Sequence, residues 1–147
     1  MTETPIRIAF MCVQNAGRSQ MAAAFARQER EHRGLEETVE ILTGGTDPAD
    51  HVHVEVITVM DEIGIDLSDR QPQPITTAQL ESCTYVATMG CSTLDLDTDA
   101  TGVIVRDWAL DDPDGQPLDR IREIRDTIRE RVDALFDEIE QELHTDA

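Results

Sequence analysis

Ile6-Arg7-Ile8-Ala9-Phe10-Met11-Cys12-Val13-Gln14-Asn15-Ala16-Gly17-Arg18-Ser19-Gln20-Met21-Ala22 is the stretch that decides the fold. Ile6 to Met11 is a short apolar run of the kind that forms a buried strand, and an Ala-rich helical pattern begins at Arg18. The loop between them opens a helix, so its free backbone N–H groups and the helix dipole favour an anion in its mouth. Cys12 at the strand end is a candidate nucleophile. To act as one near neutrality it needs a depressed pKa, which the dipole and a hydrogen bond from Ser19 would supply. Arg18 offers a planar fork to two oxygens, and Val13, Gln14, Asn15, Ala16, Gly17, Arg18 and Ser19 together form the candidate oxyanion cradle. Asn15 and Gly17 are residue types that tolerate the positive φ a tight anion nest demands.

Working outward, further short apolar runs at Val39 to Thr43, Tyr85 to Met89 and Val103 to Arg106 read as buried parallel strands. Helical periodicity falls between them: Met21 and Phe25 in the first helix, then Val52, Val56, Val59, Met60 and Ile63 on one face of a second. After Pro117 the pattern is longest, with Ile121, Ile124, Ile128, Val132, Leu135, Ile139 and Leu143 recurring every three or four residues. Strand and helix in alternation predict a doubly wound α/β domain over residues 1–147, a four-stranded parallel sheet flanked by helices, with ligands at the carboxyl ends of the strands. Cys12 lies at such an end. Loops at Gly44 to Asp50, Asp69 to Pro74, Leu94 to Gly102 and Asp111 to Pro117 are expected to surround it.

Composition narrows the function classes. The chain has 147 residues and a net charge of −19, with 31 acidic residues against 12 basic ones, and every basic one is arginine. Such self-repulsion argues against nucleic-acid or anionic-membrane binding and points to a salt-rich, halophilic cytoplasm. No apolar run approaches a membrane span, and three cysteines (Cys12, Cys83 and Cys91) suit a reducing compartment better than a disulfide framework. His51 and His53 lack a third ligand at suitable spacing, so no metal is expected. His32 and His144 read as surface positions, and Cys83 as a small buried residue before a strand.

Taken together, these motifs resemble the low-molecular-weight protein tyrosine phosphatase superfamily, and most of all its arsenate reductase branch. The resemblance runs from Ile6 to about Leu135. It rests on Cys12 to Ala22, Thr43-Gly44-Gly45-Thr46, Glu62-Ile63-Gly64-Ile65-Asp66-Leu67-Ser68, Thr88-Met89-Gly90-Cys91 and Asp107-Trp108-Ala109-Leu110-Asp111-Asp112-Pro113. It implies Cys12, Arg18 and Asp112 as catalytic residues with Asn15 and Ser19 in support, Asp112 before Pro113 being the general acid. Asp111 is adjacent, and position alone leaves the two open. The resemblance also implies a redox role for Cys91, whose thiol would attack the Cys12 sulfur, release arsenite and leave a disulfide.

One departure bears on the electron donor. Thioredoxin-coupled relatives carry a further cysteine about seven residues on, where this chain reads Leu96-Asp97-Thr98. Either Cys12 and Cys91 pair directly, or a low-molecular-weight thiol attacks the arseno-enzyme and a glutaredoxin-like protein completes the cycle. No bound cofactor is expected; the implied partners are a small oxyanion, arsenate or a phosphate ester, and a thiol reductant such as thioredoxin, a glutaredoxin-like protein or a small thiol. The loop Asp112-Pro113-Asp114-Gly115 lacks the aromatic ring that would clamp a phosphotyrosine, which favours reductase over phosphatase. A non-catalytic anion-binding regulator is the third reading, against which the retained Cys12 and Asp112 count.

Overall fold

In the computed structural model, residues 6–89, 102–108, 110, 111, 113 and 115–145 are described. Four parallel strands, β1 (Ile6–Cys12), β2 (Val39–Gly45), β3 (Tyr85–Thr88) and β4 (Ile104–Asp107), form one sheet in the order β2-β1-β3-β4. Helices α1 (Arg18–His32), α2 (Val54–Asp61), α3 (Thr77–Glu81) and α4 (Leu118–Thr145) lie in the intervening and final segments. The α/β class and the parallel four-stranded sheet expected from the sequence are therefore present.

Side chains alternate across the central strand as a strand's period of two requires. Ile8, Phe10 and Cys12 enter the larger core with α1, α2 and α4, whereas Ala9 and Met11 meet Leu80, Cys83, Val86 and Val103 on the other face. Small residues bring α1 close to the sheet: Ala22, Ala23 and Ala26 are all fully buried, with the larger Met21 beside them. Along α4, Ile121, Ile128, Val132, Phe136 and Ile139 have no exposed surface. Trp108 packs beside Phe10 with ring centroids 5.8 Å apart, a core position rather than a substrate platform.

Strand β2 runs two residues past its sequence reading and β4 is shifted by one, and three further elements differ for reasons the structure shows. The second helix begins at Val54 rather than Val52, because His53 is still extended at φ −60°, ψ 134° and serves as its N-cap. The third strand stops at Thr88, whose carbonyl accepts from Trp108 N at 2.8 Å. Helix α3 was not anticipated. It spans only five residues and is set by a reciprocal cap, Thr76 Oγ1 accepting from Gln79 N while Gln79 Oε1 accepts from Thr76 N. Cys83 is buried behind it and donates to Gln79 O at 3.3 Å; burial pushes its thiol pKa up.

Arginines bind the acidic surface together. Arg33, at the end of α1, pairs with Glu29 and with Asp133, Asp137 and Glu140 of α4. Burial alone would lower its pKa, and hydrogen bonds to Glu29, Glu140 and Asp137 outweigh that and raise it. These pairs leave the net charge of −19 unchanged. Raising KCl from about 0.1 M to about 1 M shortens the Debye length from about 10 Å to about 3 Å, so the thermal midpoint should rise over that range. A scan showing no dependence on KCl would remove the halophilic reading of the charge.

Candidate functional site

Strand β1 delivers Cys12 to the carboxyl edge of the sheet, in register with Gly45 of β2, and residues 13–17 turn over it into α1. Cys12 is 3% exposed. Its sulfur lies 3.0 Å from Ser19 Oγ and accepts the Asn15 N–H at 3.2 Å. A hydrogen bond donated to the sulfur favours thiolate over thiol, as the Asn15 N–H does here and the Ser19 hydroxyl does when it is the donor. The backbone N–H groups of Val13, Gln14, Ala16, Gly17 and Arg18 have no acceptor among the described residues, as expected of an unliganded anion nest at a helix start.

A cleft of about 210 Å³ opens over this loop, lined by Cys12, Val13, Gln14, Ala16, Gly17, Arg18, His53 and Pro113. Asn15 and Ser19 stand behind it, fully buried, and do not line it. Asn15 is the loop's fastener. Held at φ 52°, it donates through Nδ2 to Ser19 Oγ (2.8 Å) and Thr43 Oγ1 (2.9 Å). Its Oδ1 accepts from Gln20 Nε2 (3.0 Å) and Gln73 N (3.1 Å). The expectation that Gly17 needs positive φ is corrected: its φ is −139°. Space explains the glycine there, because a Cβ would come within 2.9 Å of Pro113 Cγ.

Arg18, the first residue of α1, is 7% exposed. Its Nη1 donates to the carbonyls of Met89 (2.9 Å) and Leu110 (2.7 Å), which leaves Nε and Nη2 without an acceptor among the described residues. The guanidinium thus ties the loop to the ends of β3 and of the segment after β4. Asp111 is ion-paired with Arg120. Asp112 and Cys91 lie outside the described residues, as does most of the Leu94 to Gly102 loop.

Sequence reasoning gave no role to Thr43, Gln20 and Gln73, which hold Asn15, or to His53, whose ring borders the cleft and whose N–H donates to Ala16 O at 2.9 Å. Thr43 comes from β2 and Gln73 from the loop before α3, so only the sheet order brings these two to Asn15, whereas Gln20 lies in the first turn of α1. The Thr43-Gly44-Gly45 run carried one usable signal. A Cβ on Gly45 would fall 2.3 Å from Val13 O, and one on Gly44 2.6 Å from Ile75 Cβ, so both glycines permit close backbone approach. Among the described residues no group of three His, Cys, Asp or Glu side chains is arranged to hold a metal ion, and no helix is long and apolar enough to cross a membrane.

Known proteins resemble this chain across most of their length. A protein of Halobacterium salinarum (strain ATCC 700922 / JCM 11081 / NRC-1), named "Putative arsenate reductase", is 63% identical over 136 residues, covering 92% of this chain and 94% of its own. The "Glutaredoxin arsenate reductase" of Synechocystis sp. (strain ATCC 27184 / PCC 6803 / Kazusa) is 32% identical over 134 residues, 90% of this chain and 98% of its own. Among solved structures, "An arsenate reductase in the phosphate binding state" superposes with a TM-score of 0.76 at 32% identity, covering 91% of this chain and 98% of that one. The family described as low molecular weight phosphotyrosine protein phosphatase matches residues 7–145. The resemblance read from the Cys12 loop and the later motifs thus extends over nearly the whole sequence, and the chain belongs to the low molecular weight phosphotyrosine protein phosphatase family.

Proposed function

We propose that this protein is a cytoplasmic, thiol-dependent arsenate reductase. The observation that carries the chemistry is the Cys12 sulfur, held by Ser19 Oγ at 3.0 Å and Asn15 N at 3.2 Å on the cleft side of a loop whose other backbone amides have no acceptor among the described residues. The names of the similar Halobacterium and Synechocystis proteins favour arsenate over a phosphate ester.

In the first step the Cys12 thiolate attacks arsenic, an S–As bond forms, and one As–O bond breaks. Asp112 protonates the departing oxygen, which leaves as water. The engagement of Asp111 with Arg120 supports Asp112 rather than Asp111 in this role. Arg18 and the loop amides carry the negative charge of the remaining oxygens. A second thiol, assigned to Cys91, then attacks the Cys12 sulfur. The S–As electron pair passes to arsenic, which is reduced from As(V) to As(III) and leaves as arsenite, while the two thiols are oxidised to one disulfide. An external thiol reductant restores them. A relative named as a glutaredoxin arsenate reductase supports a glutaredoxin-like donor, and a similar solved structure named as a thioredoxin-dependent arsenate reductase, 30% identical, supports thioredoxin equally.

Hydrolysis of a phosphomonoester uses the same first step, with water in place of the second thiol, and the family description favours it as the second reading. The test compares arsenite release under a thiol reductant with aryl phosphate hydrolysis. Cys91→Ser should abolish reduction and leave hydrolysis within about twofold, because hydrolysis needs no electrons. Strong hydrolysis with no arsenite release by the wild type would replace the reductase reading with the phosphatase one.

A further inference from the structure

In a chain with 31 acidic residues, an arginine without a carboxylate requires explanation. Arg7, Arg33, Arg106, Arg120, Arg122 and Arg125 each hold at least one. Of the six that make no ion pair with a carboxylate among the described residues (Arg18, Arg27, Arg30, Arg70, Arg129 and Arg131), Arg27 and Arg70 line a single cleft of about 270 Å³ between α1 and the turn after α2. Arg27 is half-buried. Burial first, and then the like charges of Arg70 and Arg30, bring its pKa down to about 10.

Neither carboxylate that borders the cleft lies within ion-pair distance of that charge. Arg30 adds to it, with its Nε buried and unpartnered and its Nη1 on Val39 O. Of the two carboxylates bordering the cleft, Asp66 is engaged by Ser68, its Oδ1 accepting from Ser68 N at 2.8 Å and Oγ at 2.6 Å. Glu31 sits on the exposed rim and makes no ion pair with either guanidinium. Two guanidiniums kept together at a cavity, against their mutual repulsion, form a seat for a ligand carrying several negative oxygens, since each fork can donate twice.

We propose that the Arg27–Arg70 cleft is a second anion site, distinct from the Cys12 loop, that takes a small inorganic polyvalent oxyanion of the phosphate type. Buried Leu67 in its wall keeps water from one side and strengthens charge-assisted hydrogen bonds there. Arg27 also borders a smaller cleft of about 190 Å³ that contains Thr43 and Gln73, both bonded to Asn15. The second site therefore adjoins the scaffold of the Cys12 loop without opening into its cleft.

Calorimetric titration with inorganic pyrophosphate at constant ionic strength tests this. The wild type should bind two equivalents and Arg18→Ala one. Adding Arg27→Gln and Arg70→Gln to Arg18→Ala should weaken that remaining event at least tenfold. An Arg18→Ala protein that binds no pyrophosphate, or binds it equally well after both further changes, would overturn the proposal. In the folded wild type the Arg27 and Arg70 Nε–H resonances should shift with pyrophosphate, and unmoved signals would be equally decisive against it. ADP separates a free oxyanion from a nucleotide: binding no tighter than that of pyrophosphate supports the inorganic assignment, and tighter binding overturns it.

Discussion

Cys12→Ser is expected to eliminate arsenate reduction and aryl phosphate hydrolysis together, lowering kcat/KM by about 10⁴-fold or more. A serine hydroxyl fits the space and keeps the contacts to Ser19 and Asn15, but a hydroxyl is far less acidic than a thiol and a much weaker nucleophile. The variant should therefore fold, bind phosphate and fail only in chemistry. Ser19→Ala makes a graded comparison. It removes one hydrogen bond to a charged sulfur, worth about 1.5–3 kcal/mol, and so should cost about 10- to 100-fold. Steady-state assays beside phosphate-binding calorimetry would check both, and retention of a hundredth of wild-type activity in Cys12→Ser would remove Cys12 as nucleophile.

Gly45→Ala is expected to impair the same chemistry without touching a reacting group. The added Cβ would lie 2.3 Å from Val13 O and 3.0 Å from Asn15 N, both backbone atoms, so no side-chain rotation can relieve it. Val13 O also accepts from Asp47 N at 2.8 Å, and Cys12 is paired with Gly45 in the sheet, so the loop must move with the strand edge. A shift near 1 Å corresponds to about 10²-fold in rate, and overpacking of this kind to about 1–3 kcal/mol in stability. Gly64→Ala is the control. Its Cβ would meet nothing within 4 Å, and only its φ of 82° resists, so stability should fall by about 1–2 kcal/mol with activity intact. Equal activity loss in both variants would show that the Gly45 effect is general destabilisation.

What could be read from the sequence followed from local periodicity and local chemistry. The apolar run at Ile6 predicted β1, the three-and-four spacing from Ile121 predicted α4, and the strand-loop-helix context drew attention to Cys12, Ser19 and Arg18. Asn15 at positive φ was legible for the same reason, because its backbone follows from its own position in the loop. Interactions that depend on the sheet order were not legible. Thr43 and Gln73 reach Asn15 from 28 and 58 residues away, and nothing in either neighbourhood names that partner. Helix α3 was missed because five residues carry too little periodicity, although Thr76 and Gln79 already have the spacing of a capping box. Gly17 was identified as necessary for the wrong reason: the obstacle is Pro113, 96 residues downstream and visible only once folded.

The two carbonyls on Arg18 bear on the entropy of ligand capture. A free arginine side chain carries about 2 kcal/mol of rotamer freedom, which an oxyanion would otherwise have to remove on arrival. Here the bonds to Met89 O and Leu110 O remove it during folding, so the guanidinium waits in one orientation. A lysine at this position would keep the charge but could not hold two carbonyls and present a planar fork at once. The affinity proposed for a tetrahedral anion at this cleft is in this respect settled at the moment the chain folds, before any ligand diffuses in.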